Sequence, residues 1–487
     1  MNGESTLPPP PPTGPAYQQE VLPTRAFDWR EGPRASTRAL QAVVLGAAAA
    51  GAFWGNGFGS VGTALWLVVI AAAVSFAPRT QDRMRLAALA ASVLFAGYLA
   101  LRASPWLIPL NLLAAFGLIA FAALLPADRR VLQRPAYVIA RFLGLFRLVR
   151  AFLYVARPIV GLLEQQDRHR VRSVLVGLGL AVPLVAVLGA LLAAGDAVFS
   201  AAIGQIGVAE GVVTTAVYAG FGAVITTTLM LATSRTWGES PEPMRLLGPV
   251  EASIVAGAVA MLYAAFAVSQ AVATFGGVDQ VLETAGLTRA EYARAGFFQL
   301  LWAAGLTLAA LLVLDRLRKR EGGRVFAVFA VATSLLTLLV VAVSVTRLLA
   351  YVDDFGWTML RLYTVLFAAW IGLLFLGLAA RFAGYRPMQL WYPVFVAVSG
   401  LVWLLGVNVL NPEAFVARQN LANPEHADGY YLSQLSADAT PAILDGIEVL
   451  TDRAQAELMI DLCLQPGEPL LGNIGNHRAL AALDGRC

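Results

Sequence analysis

Apolar blocks of roughly 17 to 25 residues recur along this chain, and a helix rising 1.5 Å per residue needs about that length to cross a hydrocarbon core. Candidate spans fall at 39–57, 61–77, 86–102, 105–126, 173–195, 211–233, 250–274, 297–315, 325–346, 359–380 and 389–410, eleven in all. The first two are short, are separated by Gly55-Asn56-Gly57-Phe58-Gly59-Ser60, and can form a shallow hairpin. The composition agrees: 58% of residues are hydrophobic and 14% charged, whereas soluble domains carry about 25% charge. The expected fold is an all-α, polytopic transmembrane helix bundle with a small helical extracytoplasmic C-terminal domain.

Charge placement orients the bundle. With the N-terminus inside, 26 of the 35 Lys and Arg fall in cytoplasmic segments; outer loops receive Arg102, Arg289, Arg294, Arg347 and Arg361, and the tail holds four. Positive residues retained on the cytoplasmic side predict N-in and, with an odd span count, C-out. The net charge of +4 therefore reflects topology rather than nucleic-acid binding. Only Lys319 is lysine, which fits a GC-rich bacterial genome.

Five segments follow. Residues 1–38 are a polar, proline-rich cytoplasmic leader, disordered by composition, with no apolar signal-peptide core. Residues 39–126 form four spans in hairpins. Residues 127–172 carry ten Arg; Arg147, Arg150 and Arg157 share a helical face, which fits an interfacial helix that contacts anionic lipid headgroups or simply anchors topology. Residues 173–410 make a seven-span core. Residues 411–487 hold 11 acidic residues against 4 Arg, and Asn411-Pro412, Thr440-Pro441 and Thr451-Asp452 read as helix starts. Ile443, Ile447, Leu450, Leu458, Ile460 and Leu462 suit packing between tail helices or onto the membrane surface.

Motifs for catalysis are scarce. His169, His426 and His477 lack metal-ligand spacing, so no metal or cofactor is expected. No phosphate-binding loop, dinucleotide fingerprint or GxSxG elbow occurs. Span centres are nearly free of charge, which disfavours a proton-coupled carboxylate mechanism. Asn111, Gln270, Gln299 and Thr226-Thr227-Thr228 are polar residues of the kind that join helices. Cys463 and Cys487 are the only cysteines and fall on the expected outer side, where a disulfide would persist.

The outer rim carries the candidate site. Asp196, Glu291, Arg294, Asp353, Asp354 and Arg361 map to that side and are expected to converge as a ligand-binding cluster. Each also has an architectural reading: Thr288 and Glu291 match a capping box, Asp196 and Asp354 can cap following helices, and Asn411 can cap the tail. Arg361 stands seven residues after Asp354, so a continuous helix would put both on one face.

The stretches Gly195-Asp196-Ala197-Val198-Phe199, Thr288 to Arg294, Tyr351 to Trp357 with Arg361-Leu362-Tyr363, and Asn411 to Asn420 resemble a bacterial polytopic membrane family catalogued only as a domain of unknown function. Gly296 to Leu300 and Tyr430 to Leu435 extend the likeness, which covers roughly residues 170–450. The resemblance implies an integral membrane protein and supplies no catalytic residues. The expected role is an outward polar face that binds a ligand or envelope partner, in sensing or envelope assembly. A small-solute permease and a membrane-embedded transferase acting on an envelope lipid are the alternatives.

Overall fold

The computed structural model describes residues 34–53, 59–76, 82–125, 154–155, 158, 210–233, 249–275, 297–318, 323–464 and 472–487. Span 173–195, Asp196, Glu291, Arg294 and the basic residues Arg147, Arg150 and Arg157 lie outside them, as does most of the proline-rich leader. Within them the elements are α-helices and short 3₁₀ turns. The α-helices are α1 Thr37–Phe53, α2 Val61–Ser75, α3 Arg83–Leu101, α4 Leu107–Leu124, α5 Glu210–Thr233, α6 Pro249–Phe275, α7 Phe297–Leu317, α8 Arg324–Phe355, α9 Met359–Phe382, α10 Arg386–Leu410, α11 Pro412–Leu421, α12 Gly429–Ser433, α13 Thr440–Gly446, α14 Asp452–Cys463 and α15 Ile474–Leu483. Six are long and apolar enough to cross a membrane: α3, α4, α5 (over Thr214–Thr233), α8, α9 and α10. Thr37–Phe53, Val61–Ser75 and Val250–Ala265 are shorter apolar stretches.

Small residues decide the closest helix crossing. Gly46 and Ala50 of α1 meet Gly222 and Thr226 of α5, and a Cβ added at Gly222 would stand 2.4 Å from Ala50 Cβ and 2.7 Å from the Gly46 carbonyl oxygen. Backbones this close gain dispersion contact that large side chains would forbid. Trp66 of α2 donates its indole N–H to that same Gly46 carbonyl at 3.2 Å, and Thr226 turns its hydroxyl onto Gly222 O at 2.7 Å. Because backbone rather than a flexible side chain blocks the space, Gly222→Leu is expected to destabilise by about 1–3 kcal/mol or more. Gly220, which has open space on its Cβ side, is the control: Gly220→Ala should leave the thermal midpoint of the purified protein nearly unchanged. Equal losses in both variants would reject the crossing as the cause.

A second apolar cluster joins α6 to α10 around Phe326, Phe375, Leu378 and Tyr392. At the end of the bundle formed by the α7 C-terminus, Arg381 donates to Asp315 at 2.6 Å and to the Gln389 carbonyl at 2.6 Å, tying α7, α9 and α10. The opposite end is occupied by the C-terminal helices, whose core contains Val416, Ala417, Leu432, Ile443, Leu458 and Leu462 together with Met359 and Leu362 of α9. Ile460 is 59% exposed and so does not pack between the tail helices.

Two expected helix starts are corrected here. Asn411 makes no side-chain cap; it adopts φ 52°, turning α11 away from α10. Thr440 is the first residue of α13 rather than its cap, and its hydroxyl has no partner. Thr451 does cap α14, accepting from the Ala454 N–H.

Candidate functional site beneath the C-terminal helices

The α3–α4 turn is where the C-terminal helices grip the bundle. Arg102 ends α3 with extended backbone, leaving the N–H groups of Ala103 and Ser104 without helical acceptors. Asp438 supplies one: its Oδ2 accepts from Ala103 N at 2.9 Å and from Ser104 N at 3.2 Å. The Ser104 hydroxyl then donates to Glu413 Oε1 at 2.8 Å, and Ser436 N donates to Glu413 Oε2 at 2.9 Å. One serine thus bridges two carboxylates from different tail segments. Glu413 sits in the first turn of α11, where the helix dipole favours an anion.

Neighbouring amides set the frame. Asn111 and Asn408 exchange side-chain hydrogen bonds at 2.9 and 2.8 Å, joining α4 to α10, so Asn111 is a helix-to-helix fastener. Arg102 Nε donates to the Asn408 carbonyl at 3.0 Å, and Asn411 Nδ2 donates to the Asp438 carbonyl at 3.3 Å. Asn473 donates to the carbonyls of Gly59, Leu99 and Arg102 while its Oδ1 caps α15. Gly475 leaves room for Asp438: a Cβ there would lie 2.6 Å from Asp438 Oδ1.

Both carboxyls are nearly sealed from solvent, Glu413 at 2% and Asp438 at 7% exposure. Burial pushes each above the usual carboxylate range, partly opposed by the hydrogen bonds they accept and, at Asp438, by Arg102 and Arg478. Around them the hydroxyls of Tyr363, Ser436 and Thr440 and the amide oxygen of Asn411 are buried without hydrogen-bond partners. Tyr363 and Ser436 lie close to Ser104 and Glu413 respectively, outside good hydrogen-bond geometry. Tyr363 also stacks on Trp106, ring centroids 5.4 Å apart, and Trp106 is 44% exposed. The cluster holds three unpartnered hydroxyls, which can donate or accept, and one unpartnered amide oxygen, which can only accept.

Of the residues singled out from sequence, Asp353 and Asp354 lie exposed in the last turn of α8, so Asp354 does not cap the next helix; Thr358 does, accepting from Arg361 N at 3.3 Å. Gly356, at φ 72°, breaks the chain between them, and the shared helical face expected for Asp354 and Arg361 does not exist. Arg361 instead donates to the carbonyls of Phe355 and Gly356 and lies over the Tyr351 ring, 4.4 Å from its centroid. Cys463 and Cys487 are disulfide-bonded, Cα atoms 5.7 Å apart. Among the described residues no three His, Cys, Asp or Glu side chains group as a metal site. Sequence reading passed over Asp438, Ser104 and Asn473; Glu413 and Tyr363 fell within quoted stretches but were given no role.

A chain whose described residues are helical and include six helices able to span a bilayer is, in class, a membrane protein of uncharacterised activity. It belongs to the family described as a domain of unknown function (DUF4153), which matches residues 86–446. That match begins well before the likeness read from sequence and takes in the α3–α4 turn. No curated protein and no solved structure matches the chain.

Proposed function

We propose that this is an integral protein of a bacterial plasma membrane, N-terminus inside and C-terminus outside, with about eleven spans. Its C-terminal helices form a small extracytoplasmic domain, and its outward face binds a ligand or envelope partner in sensing or envelope assembly. The orientation draws support from contacts: the turns after α1, α3, α8 and α10, all external by charge count, meet the C-terminal helices at one end, through Gly59, Ser104, Trp357 and Asn411. The five-segment layout and the lipid contact of Arg147, Arg150 and Arg157 belong to the same reading.

The observation that carries ligand binding is the set of unpartnered hydroxyls and amide oxygen beside two buried carboxyls. Buried polar atoms without partners are unfavourable, and a ligand bearing hydroxyl groups, which both donate and accept, would satisfy them. This nest, rather than the Asp353, Asp354 and Arg361 rim, is the better candidate. Removing an unsatisfied hydroxyl leaves the fold equally stable or stabilises it by about 1 kcal/mol, whereas removing a ligand contact abolishes function. Tyr363→Phe and Thr440→Val should therefore fold with unchanged or raised thermal midpoints, yet fail to complement a deletion strain under envelope stress. Full complementation by both would count against the site.

A further inference from the structure

We propose that Glu413, Ser104 and Asp438 form a proton-sensitive latch, which holds the C-terminal helices on the bundle when the carboxyls retain a proton and loosens as the surroundings become alkaline. The geometry carries this. Both carboxylates sit between two parts of the molecule, and both accept only from neutral donors: Ser104 Oγ, and the backbone N–H groups of Ala103, Ser104 and Ser436. Among the described residues neither forms an ion pair, and burial of a carboxylate favours its neutral form. The charged and titratable groups facing them are few. Glu413 is faced by Asp438, by Tyr363 of α9 and by Tyr431 of α12; Asp438 is faced by Arg102 at the end of α3 and Arg478 of α15. The two arginines oppose the effect of burial at Asp438.

Protonation is compatible with the same contacts. A Glu413 carboxyl can donate to Ser104 Oγ while its other oxygen still accepts from Ser436, and the Ser104 hydroxyl is then free to turn toward Tyr363. The sign follows from linkage. Each carboxyl has a higher affinity for its proton docked than undocked, so docking is strongest below the ordinary carboxylate range and weakens as pH rises from there through the raised docked values. This device needs no ligand and stands apart from the binding reading above.

The test is a distance measurement on the full chain in nanodiscs. Spin labels at Asp353→Cys on α8 and Asp445→Cys on the C-terminal helices occupy two exposed positions, and the native cysteines are bridged and do not label. Between about pH 4 and about pH 9, from the ordinary carboxylate values to well above them, the distance distribution should broaden several-fold in the otherwise wild-type chain. Glu413→Gln with Asp438→Asn mimics the protonated pair and should stay narrow throughout; Glu413→Gln alone, the fallback if the double variant does not fold, should show a smaller response than wild type. The exposed-acid control Glu448→Gln should respond like wild type. A distribution that ignores pH in wild type, or that broadens equally in the amide variants, overturns the latch.

Discussion

Asn473→Ala is expected to cost about 2–4 kcal/mol in the docking of the C-terminal helices, more than any single exposed charge in the molecule. The side chain is small, but its amide meets three backbone carbonyls from separate parts of the bundle, Gly59 before α2, Leu99 in α3 and Arg102 after it. Its oxygen also accepts from Gly475 N at 2.7 Å, starting α15. Alanine removes all of this and takes the Asn473 donor away from carbonyls at a buried interface. Asn473→Asp separates the two roles: a carboxylate keeps the cap and cannot donate to the carbonyls. If docking rests on the carbonyl contacts, the aspartate should be as damaging as alanine; if it rests on the cap, aspartate should be close to wild type. Hydrogen exchange across residues 474–483 in both variants reads the difference.

The helices were legible from hydropathy because a bilayer penalises any unsatisfied backbone group, so apolar length and helix are nearly the same statement. Expected spans 86–102, 105–126 and 359–380 lie within a few residues of α3, α4 and α9. The departures have local causes. α8 continues past Arg347 to Phe355 since Leu348 and Val352 find buried positions beyond the point where the apolar run ends. Gly356 then stops it with a backbone conformation that β-carbon residues avoid. A count of seven residues assumes one helix and could not see that break.

The site was hidden for another reason. Asp438 holds an N–H 335 residues away in sequence, and Asn473 a carbonyl 414 residues away. No window-based pattern reports such a contact. Asp438 sits in Ser-Ala-Asp-Ala-Thr-Pro, which reads as an ordinary turn, and Glu413 follows Asn-Pro, which reads as an ordinary helix start. Both local readings are physically sound. What they omit is burial: a carboxylate becomes informative only once water is excluded from it, and exclusion depends on the packing of α9, α11 and α15 together. The cysteines were easier, because two thiols in a chain with no others admit a single intramolecular pairing.

That pairing gives the second large effect. The Cys463–Cys487 bridge closes a segment 24 residues apart that contains all of α15. The chain-entropy treatment assigns about 3 kcal/mol to closing a loop of this size, a model-dependent figure. The bridge fixes the C-terminal end of α15 to α14, while Asn473 fixes its N-terminal end to the bundle, so the helix is held at both ends. Cutting one restraint should leave the other to bear the docking alone. Reduction, or Cys463→Ser with Cys487→Ser, is therefore expected to speed exchange of the α15 amides by roughly a hundredfold, the factor that about 3 kcal/mol supports at 25 °C. Asn473→Ala in the reduced protein should release α15 altogether, a loss greater than the sum of the two, because each restraint lowers the entropy that the other must overcome. Simple additivity would show that the two ends are independent. An unchanged exchange rate on reduction would show that packing of Ala479 and Leu483 is enough to hold the helix.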